Sequence, residues 1–321
     1  MKKSTIATYL LTISLLIALT AASDGAVNGA KQSLRTCAEV IIPCLFPFFV
    51  ISYLAGAVGL PVYIGQKLHK PMALLFSTSG TGAGVFILGI LGGYPLGAAV
   101  IADLVQKEDL TTEEGQKLLC FCNNSGPAFL IGAIGIGIFH SAPAGVLLYS
   151  VHILAAIITG MFLSGTKTPC LSSDTVFIAS VNLSSALPDS IARASTQIVQ
   201  ICGYVIFFGA VVGTLEETGV FSALYGPLST YTALTLQQAK ALCSGILELG
   251  CGIGSLLNAP LSPQSLSLCA FLTGFGGLSV CMQTAGMLVG TGLKLRYHIL
   301  GRLCCAGIAA FLMFTFSSIL W

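Results

Sequence analysis

Apolar residues run through this chain in long stretches separated by short polar segments. No Asp, Glu, Lys or Arg occurs in 118–166, 194–215 or 249–293. Since about 20 apolar residues are enough for a helix to cross a bilayer, several crossings are required. Together with the positions of Gly and Pro breakers, the pattern predicts helices at 5–22, 37–60, 72–105, 118–139, 142–164, 194–216, 236–258, 265–292 and 299–320.

The composition supports a membrane location. Of the 321 residues, 55% are hydrophobic and 8% are charged, against about 25% charged in soluble domains. The net charge is +2 and no basic run is longer than Lys2-Lys3, so nucleic acid is not expected as a partner. The bilayer is the expected environment, and a homo-oligomer is left open.

The 12 cysteines mostly lie in apolar segments, where cysteine behaves as a small hydrophobic residue. They form no CxxC pair and no Cys/His cluster with zinc spacing. We therefore expect no metal site, no cofactor and no disulfide framework.

Residues 1–30 are expected to form an N-terminal transmembrane anchor helix. The apolar run from Ile6 to Ala22 follows Lys2 and Lys3 and is long for the core of a signal peptide. A cleaved signal peptide is the alternative, and either segment directs the chain to a membrane.

Two apolar segments are not typical of ordinary spans. Residues 72–105 are too long for one span and contain Gly92-Gly93-Tyr94-Pro95. Residues 236–258 are interrupted by Glu248-Leu249-Gly250-Cys251-Gly252. If both are re-entrant hairpins, most basic residues fall on the cytoplasmic side. These are Lys67, Lys70, Lys107, Lys117, Lys167, Arg193, Lys294, Arg296 and Arg302, whereas Lys31, Arg35 and Lys240 do not fit. The prediction is an all-α integral membrane protein with about seven spanning helices and two re-entrant hairpins.

This topology contains a duplication. Span, hairpin, span and span occur in the same order in both halves, and "GILGGYPLG" at Gly89 matches "GILELGCGIG" at Gly245. Three crossings in each unit make the copies inverted, as in many secondary transporters. We therefore divide the chain into the anchor, a first repeat at 31–165, a linker at 166–192 and a second repeat at 193–321. A chance match is the alternative, because the chain has 37 glycines.

The candidate site lies where the helices are interrupted. The segment "CNNSGPAF" places Asn123, Asn124, Ser125 and Gly126 before Pro127, and a helix restarting there would direct free amides at an anion. The predicted substrate-binding residues are Gly92, Gly93, Tyr94, Pro95, Asn123, Asn124, Ser125, Gly126, Glu248, Gly250, Gly276 and Gly277. A polar clamp between helices is the alternative for the two asparagines.

Glu248 is the carboxylate of the second hairpin. A carboxylate within a membrane is costly and indicates a proton carrier or a cation ligand. The alternative is a glutamate near the membrane interface. The segment "KEDLTTEEGQK" is expected to be a surface loop that begins a helix, with Thr111 or Thr112 as its cap.

Motifs of enzymes are missing. "GMFLSGTKT" resembles a phosphate loop, but Thr166 separates Gly165 from Lys167, and no HExxH or GxSxG occurs. We therefore do not expect an enzyme.

Two of these segments also carry a family resemblance. "GGYPLGA" at Gly92, the acidic loop after it and "CNNSGPAF" at Cys122 resemble the family of the sporulation integral membrane protein YlbJ, also called SpoVV. That family belongs to the Gate-domain group, which is related to nucleoside transporters and to the Gate segments of the iron transporter FeoB. The resemblance implies transport of dipicolinic acid across the outer forespore membrane of a spore-forming bacterium.

We therefore expect a transporter or passive conduit for a small organic anion in a bacterial multi-pass membrane protein. One alternative is a non-transporting scaffold subunit for assembly of the spore envelope. Another is a Gate-family transporter of a different solute, such as a nucleoside.

Overall fold

A computed structural model describes residues 3–163 and 182–320, and these residues form helices joined by short connections. The helices are α1 (Lys3–Ala21), α2 (Ser23–Ala57), α3 (Leu60–Phe76), α4 (Thr81–Gly92), α5 (Leu96–Gln106), α6 (Thr112–Leu119), α7 (Ala128–Ile138), α8 (Ala142–Leu163), α9 (Leu183–Glu217), α10 (Val220–Tyr231), α11 (Leu236–Leu247), α12 (Leu249–Gly254), α13 (Pro263–Phe275), α14 (Gly277–Met287) and α15 (Leu295–Leu320). The described residues contain no strand. The prediction of an all-α membrane bundle is confirmed.

The number of continuous spans is smaller than predicted. Within the described ranges, five helices are long and apolar enough to cross a membrane, namely α2, α8, α9, the α13–α14 pair and α15, and the bent pair α3–α4 would be a sixth. The two remaining predicted spans differ for separate reasons. The apolar part of α1 is a short helix at Thr5–Ala21. The segment at 118–139 is divided by the non-helical residues between α6 and α7.

Two further helices occupy segments that the sequence did not assign as helices. Helix α3 was missed, and α10 lies in a stretch expected to be a loop. Each begins directly after a glycine in the left-handed conformation, Gly59 (φ 72°) and Gly219 (φ 76°). Prolines and polar residues interrupt the apolar pattern of both helices, which is why the pattern did not identify them. The bend between α3 and α4 is 87°.

The same order of elements occurs in both halves of the chain. A long helix (α2 or α9) leads through the left-handed glycine into α3 or α10, and then come two hairpin helices, α4–α5 or α11–α12. An interrupted pair follows, α6–α7 or α13–α14, and each half ends with a long helix, α8 or α15. The predicted linker lies outside the described residues up to 181, and the rest of it forms the start of α9.

The first helices of the two halves pack antiparallel. Near one end, a Cβ atom added at Gly25 would lie 2.4 Å from the Gly213 carbonyl oxygen, so the backbones touch. Near the other end, the Tyr53 hydroxyl donates to Gln197 Oε1 at 3.5 Å. As the residue number rises in α2, that of its neighbour in α9 falls. Equivalent helices that run in opposite directions are what an inverted duplication requires.

The hairpins bring the halves together at their centre. The arms of each hairpin contact one another, α4 with α5 and α11 with α12. The second arm of each hairpin also reaches the other half, because α5 contacts α14 and α12 contacts α7. Both hairpin tips therefore lie beside the helix interruptions of the opposite half.

The acidic loop before α6 differs from the prediction most clearly at one acidic residue. Thr111 caps α6 as expected, since its side chain accepts from the Glu114 amide at 3.1 Å. Glu114, expected on the surface, is fully buried and its Oε1 accepts from the Ser79 amide at 2.7 Å. This carboxylate ties α6 to the bend between α3 and α4.

Candidate functional site

The tip of the first hairpin is a tight turn between α4 and α5. Gly93 has φ 82°, which is left-handed and favours glycine. The peptide between Tyr94 and Pro95 is cis. Glycines on both arms press against one carbonyl of the interrupted span, because an added Cβ at Gly89 or Gly97 would lie about 2 Å from the Cys122 oxygen. The tip is thus fixed to the interruption that follows it.

The interruption in the first half is a non-helical stretch from Cys120 to Gly126. The helix restarts at Pro127, as predicted, and α7 continues as a π-helix. Proline is suited to this position because the first amides of a helix have no partner within it. The positive end of the α7 dipole therefore lies at the interruption.

The tip of the second hairpin is Glu248, which has extended backbone between α11 and α12 (φ −138°, ψ 117°). Its Oε2 accepts from the Cys251 amide at 2.7 Å, so the carboxylate caps α12. The residue is 4% exposed. The N-terminus of α12 is therefore occupied by the protein's own carboxylate.

The interruption in the second half is much shorter than that in the first. Helix α13 ends at Phe275, and α14 begins at Gly277 after a single left-handed residue, Gly276 (φ 86°). A Cβ at Gly276 would lie 3.5 Å from Cζ of Tyr94, and one at Gly277 would lie 2.9 Å from the Gly245 oxygen. The second interruption thus packs between the two hairpin tips.

Together these elements line a cavity of about 90 Å³, which we call the central cavity. Its walls come from both halves, and several predicted site residues line it: Gly93, Tyr94, Ser125, Gly126, Glu248 and Gly250. Apolar side chains of α2 and α9, such as Val40 and Val205, complete the wall. At about 30 Å³ for each molecule of liquid water, this volume has room for roughly three waters.

The other predicted site residues lie behind the wall. They are Gly92, Pro95, Asn123, Asn124, Gly276 and Gly277, and none of them lines the central cavity. Asn123 donates to Thr284 Oγ1 at 3.1 Å and accepts from the Ala98 amide at 3.3 Å. Asn124 donates to the Phe121 oxygen at 2.7 Å. Both side chains are fully buried, and the bonds of Asn123 tie the interruption to α5 and α14, which favours the polar clamp. Direct contact with a ligand stays a prediction for them.

Arg302 was counted among the basic residues on the cytoplasmic side, and the structure shows that its side chain is turned into the protein. The side chain is fully buried. Its guanidinium donates to Asn124 Oδ1 at 3.1 Å, to the Cys120 oxygen at 3.2 Å and to the Tyr94 hydroxyl at 3.3 Å. The Tyr94 hydroxyl in turn donates to the Thr273 oxygen at 2.6 Å. Basic residues near span ends were counted by sequence position, which does not show a side chain's direction, so these hydrogen bonds were not predicted. The cytoplasmic side of Arg302 stays a prediction.

Two polar residues of the cavity wall were not predicted. Thr36 on α2 and Gln283 on α14 both line the central cavity, and Gln283 is 3% exposed. A buried amide within an uncharged span was a usable signal, since polar side chains within membranes face protein or water. Thr36 gave no such signal because it lies in the polar first part of its helix.

A second, polar cavity of about 770 Å³ lies on the other side of α12. Its lining includes Asp24, Gln32, Glu216, Glu217, Lys240 and Cys251. Lys240 pairs with Glu216 at 3.2 Å. Helix α12 contributes Leu249 and Gly250 to the central cavity and Cys251 to this polar cavity. The short helix therefore separates the two spaces.

Comparison with known proteins gives one informative relationship. No protein-family model matches the chain, and no solved structure matches it. The chain is 28% identical over 318 residues to the sporulation integral membrane protein YlbJ of Bacillus subtilis (strain 168), covering 92% of this chain and 77% of that protein. This chain is a homologue of a sporulation membrane protein. The similarity covers both halves of this chain, so the helix interruptions described above lie in the part of the chain that is similar to that protein.

The membrane location follows from the same findings. The homologue is an integral membrane protein, and the described residues contain five helices of spanning length and composition. The chain is therefore a multi-pass membrane protein.

Proposed function

We propose that this chain is a member of the YlbJ (SpoVV) family and of the wider Gate-domain group. In this proposal it carries a small organic anion, dipicolinate, across the outer forespore membrane of a sporulating bacterium. The observation that supports transport is the central cavity, which both hairpin tips and the first interruption line within the membrane bundle. Similarity to a sporulation membrane protein supports the cellular setting.

The chemistry of the wall suits such a solute. The N-terminus of α7 meets the cavity at Gly126 and Phe129 and provides a positive dipole end for a carboxylate. The Ser125 hydroxyl and the Gln283 amide can donate hydrogen bonds, and the apolar faces of α2 and α9 can hold a ring. Binding by dipoles and neutral groups is weak enough to allow release.

The path out of the cavity is suggested by α12. Because this helix separates the central cavity from the polar cavity, a displacement of α12 would join the two spaces. Gly245 and Gly252 allow close packing of α11 on α12, since a Cβ at Gly252 would lie 2.3 Å from Gly245 Cα. Access from the polar cavity then depends on movement of the second hairpin, as in transporters with inverted repeats.

Filling the cavity tests this function. In proteoliposomes loaded with purified protein, we expect Val205→Phe to reduce uptake of radiolabelled dipicolinate by at least about tenfold, because the ring occupies the solute's space. Val205 is 4% exposed and lines the cavity. The matched control is Val199→Phe on the same helix, at a position that is 69% exposed, and its uptake should equal that of the wild type. Equal uptake by all three proteins would exclude the cavity as the path.

Failure of the wild type to transport has a separate meaning. If it takes up no dipicolinate yet purifies with a stoichiometric spore-envelope protein, the scaffold alternative is favoured. Uptake of a labelled nucleoside instead would favour another Gate-type solute.

Glu248 should make transport depend on pH. An anion in the central cavity lies near this carboxylate and is repelled while the carboxylate is charged. Protonation removes the repulsion, so uptake should rise as pH falls, by up to about tenfold per pH unit. Glu248→Gln keeps the shape and removes the charge, so it should give fast uptake with little pH dependence.

The control for this prediction is Glu39→Gln, since the Glu39 side chain is 68% exposed on α2. It should retain the wild-type pH profile. A Glu248→Gln protein with an unaltered profile would remove Glu248 from the mechanism and leave passive transport as the simpler description.

A further inference from the structure

Arg302 is an unusual residue for the interior of a membrane protein. It lies about 10 Å along α15 from Leu295 at 1.5 Å per residue, within a helix long enough to span the bilayer. It is the largest of the fully buried side chains. Its three hydrogen-bond partners, named above, are a phenol, an amide and a backbone carbonyl, and none of them is charged.

The charge of Arg302 has no counter-ion in the part of the chain that the structure describes. The ion pairs found there involve Arg35, Lys107, Arg193 and Lys240 instead. The titratable groups close enough to interact with Arg302 are phenol, thiol and imidazole groups, including His152 and His298. In addition, Arg302 Nε has no hydrogen-bond partner. Neutral partners satisfy donors but leave the charge itself uncompensated.

A purely structural role does not explain this arrangement. Burying an ion is costly unless an opposite charge accompanies it, and apolar or neutral residues of similar volume usually stabilise a fold as well or better. A glutamine could donate to the same oxygens without the cost of a buried charge. The guanidinium is therefore explained best if a negatively charged solute binds near it.

The position of Arg302 shows where that charge would be. Tyr94, whose hydroxyl accepts from the guanidinium, also lines the central cavity. Asn124 directly precedes Ser125 and Gly126, which also line the cavity. One layer of residues thus separates the guanidinium from the central cavity. The low dielectric of the protein interior screens its positive charge only weakly there.

We propose that Arg302 sets the charge selectivity of the central cavity, with the solute's own negative charge acting as its counter-ion. The inference rests on the proposed transport function and names the residue that would decide which solutes it accepts. Arg302 does not touch the solute; it acts through Tyr94 and the residues at the interruption. A neutral solute of the same shape gains nothing from this charge and is accepted poorly in comparison.

The test compares two solutes of the same shape, one a dianion and the other neutral. Pyridine-2,6-dicarboxylate and its neutral diamide are supplied to proteoliposomes, and the ratio of their uptake rates is measured. In Arg302→Gln we expect this ratio to fall by at least about tenfold, with diamide uptake within about twofold of the wild type. The control Arg296→Gln removes an exposed charge that stacks on Tyr297, and its ratio should be unchanged. A structural role would lower both rates together, and that result overturns the proposal.

A second variant provides a counter-ion for Arg302 from the protein itself. Asn124→Asp places a carboxylate at the atom that Arg302 already contacts at 3.1 Å, so the guanidinium is neutralised while it remains in place. In this variant too, the ratio of dicarboxylate to diamide uptake should fall by at least about tenfold. An unchanged ratio in this variant contradicts the proposal even if Arg302→Gln does not fold.

The wild type separates this inference from the transport proposal. If the purified protein is stabilised against heat by the dicarboxylate but not by the diamide, while vesicles take up neither, transport fails and the charge selectivity stands. Equal stabilisation by both solutes overturns the role of Arg302, whether or not transport occurs.

Discussion

Replacing Gly301 with alanine is expected to destabilise the protein, whereas the same change at Gly307 on the same helix should not. A Cβ at Gly301 would lie 2.0 Å from the Cys120 oxygen and 2.4 Å from its Cα, but a Cβ at Gly307 meets no atom within 4 Å. Overpacking against backbone costs about 1–3 kcal/mol. In an open helical position, alanine instead gains up to about 1 kcal/mol over glycine. The two variants should therefore shift stability in opposite directions.

The contact at Gly301 also fixes the site. Cys120 begins the first interruption, and its carbonyl accepts from Arg302, so moving α15 outward separates the guanidinium from its partners. We expect dipicolinate uptake to be lost in Gly301→Ala and retained in Gly307→Ala. Stability is measured as the protein that remains monodisperse in detergent after heating. A Gly301→Ala protein as stable and active as the wild type would contradict the close packing of α15 on the interruption.

The second large effect concerns the bond between Asn124 and Arg302. Asn124→Leu should destabilise the protein by about 2–4 kcal/mol, because it leaves a buried charge with one partner fewer. Removing the charge as well, in the double variant with Arg302→Met, should recover part of this loss. The coupling energy from the double-mutant cycle is expected to be about 1.5–3 kcal/mol.

Gln197 provides the control cycle. This buried amide bonds Tyr53 on α2 and not Arg302, so Gln197→Leu and Arg302→Met should add within about 0.5 kcal/mol. The measurement is reversible unfolding in mixed micelles. Additivity in the Asn124 cycle would mean that the hydrogen bond between these side chains contributes nothing measurable.

Much of the central architecture was predictable because backbone breakers leave local signals. Pro127 and Gly93 mark the interruption and the first tip directly, since a helix cannot continue unchanged through them. Apolar length alone identified α8 and α15. The repeated order of spans and hairpins, with the matching "GIL" segments, predicted a duplication, and the three crossings counted in each unit predicted inverted copies.

The features that could not be predicted depend on the direction in which a side chain points and on the residues that it contacts in the folded chain. Asn123 and Asn124 had the right composition for ligand contacts, but other helices satisfy their amides, and no local pattern reveals such partners. Arg302 lies near a span end in sequence yet points inward. Thr36 lines the cavity because α2 begins at Ser23, well before the apolar stretch from which a helix at 37–60 was predicted.

Transport as proposed requires that the solute occupy the central cavity, and a native thiol tests this directly. Cys44 lines the cavity, whereas Cys304 on α15 does not and is also partly exposed. Two variants are made, one with Cys44 and one with Cys304 as the single cysteine among the 12 of the chain. The rate at which N-ethylmaleimide alkylates each is measured with and without dipicolinate. Dipicolinate should slow the reaction of Cys44 by at least about tenfold and leave Cys304 unaffected. Equal rates at Cys44 with and without the solute, in protein that still transports it, would contradict the account.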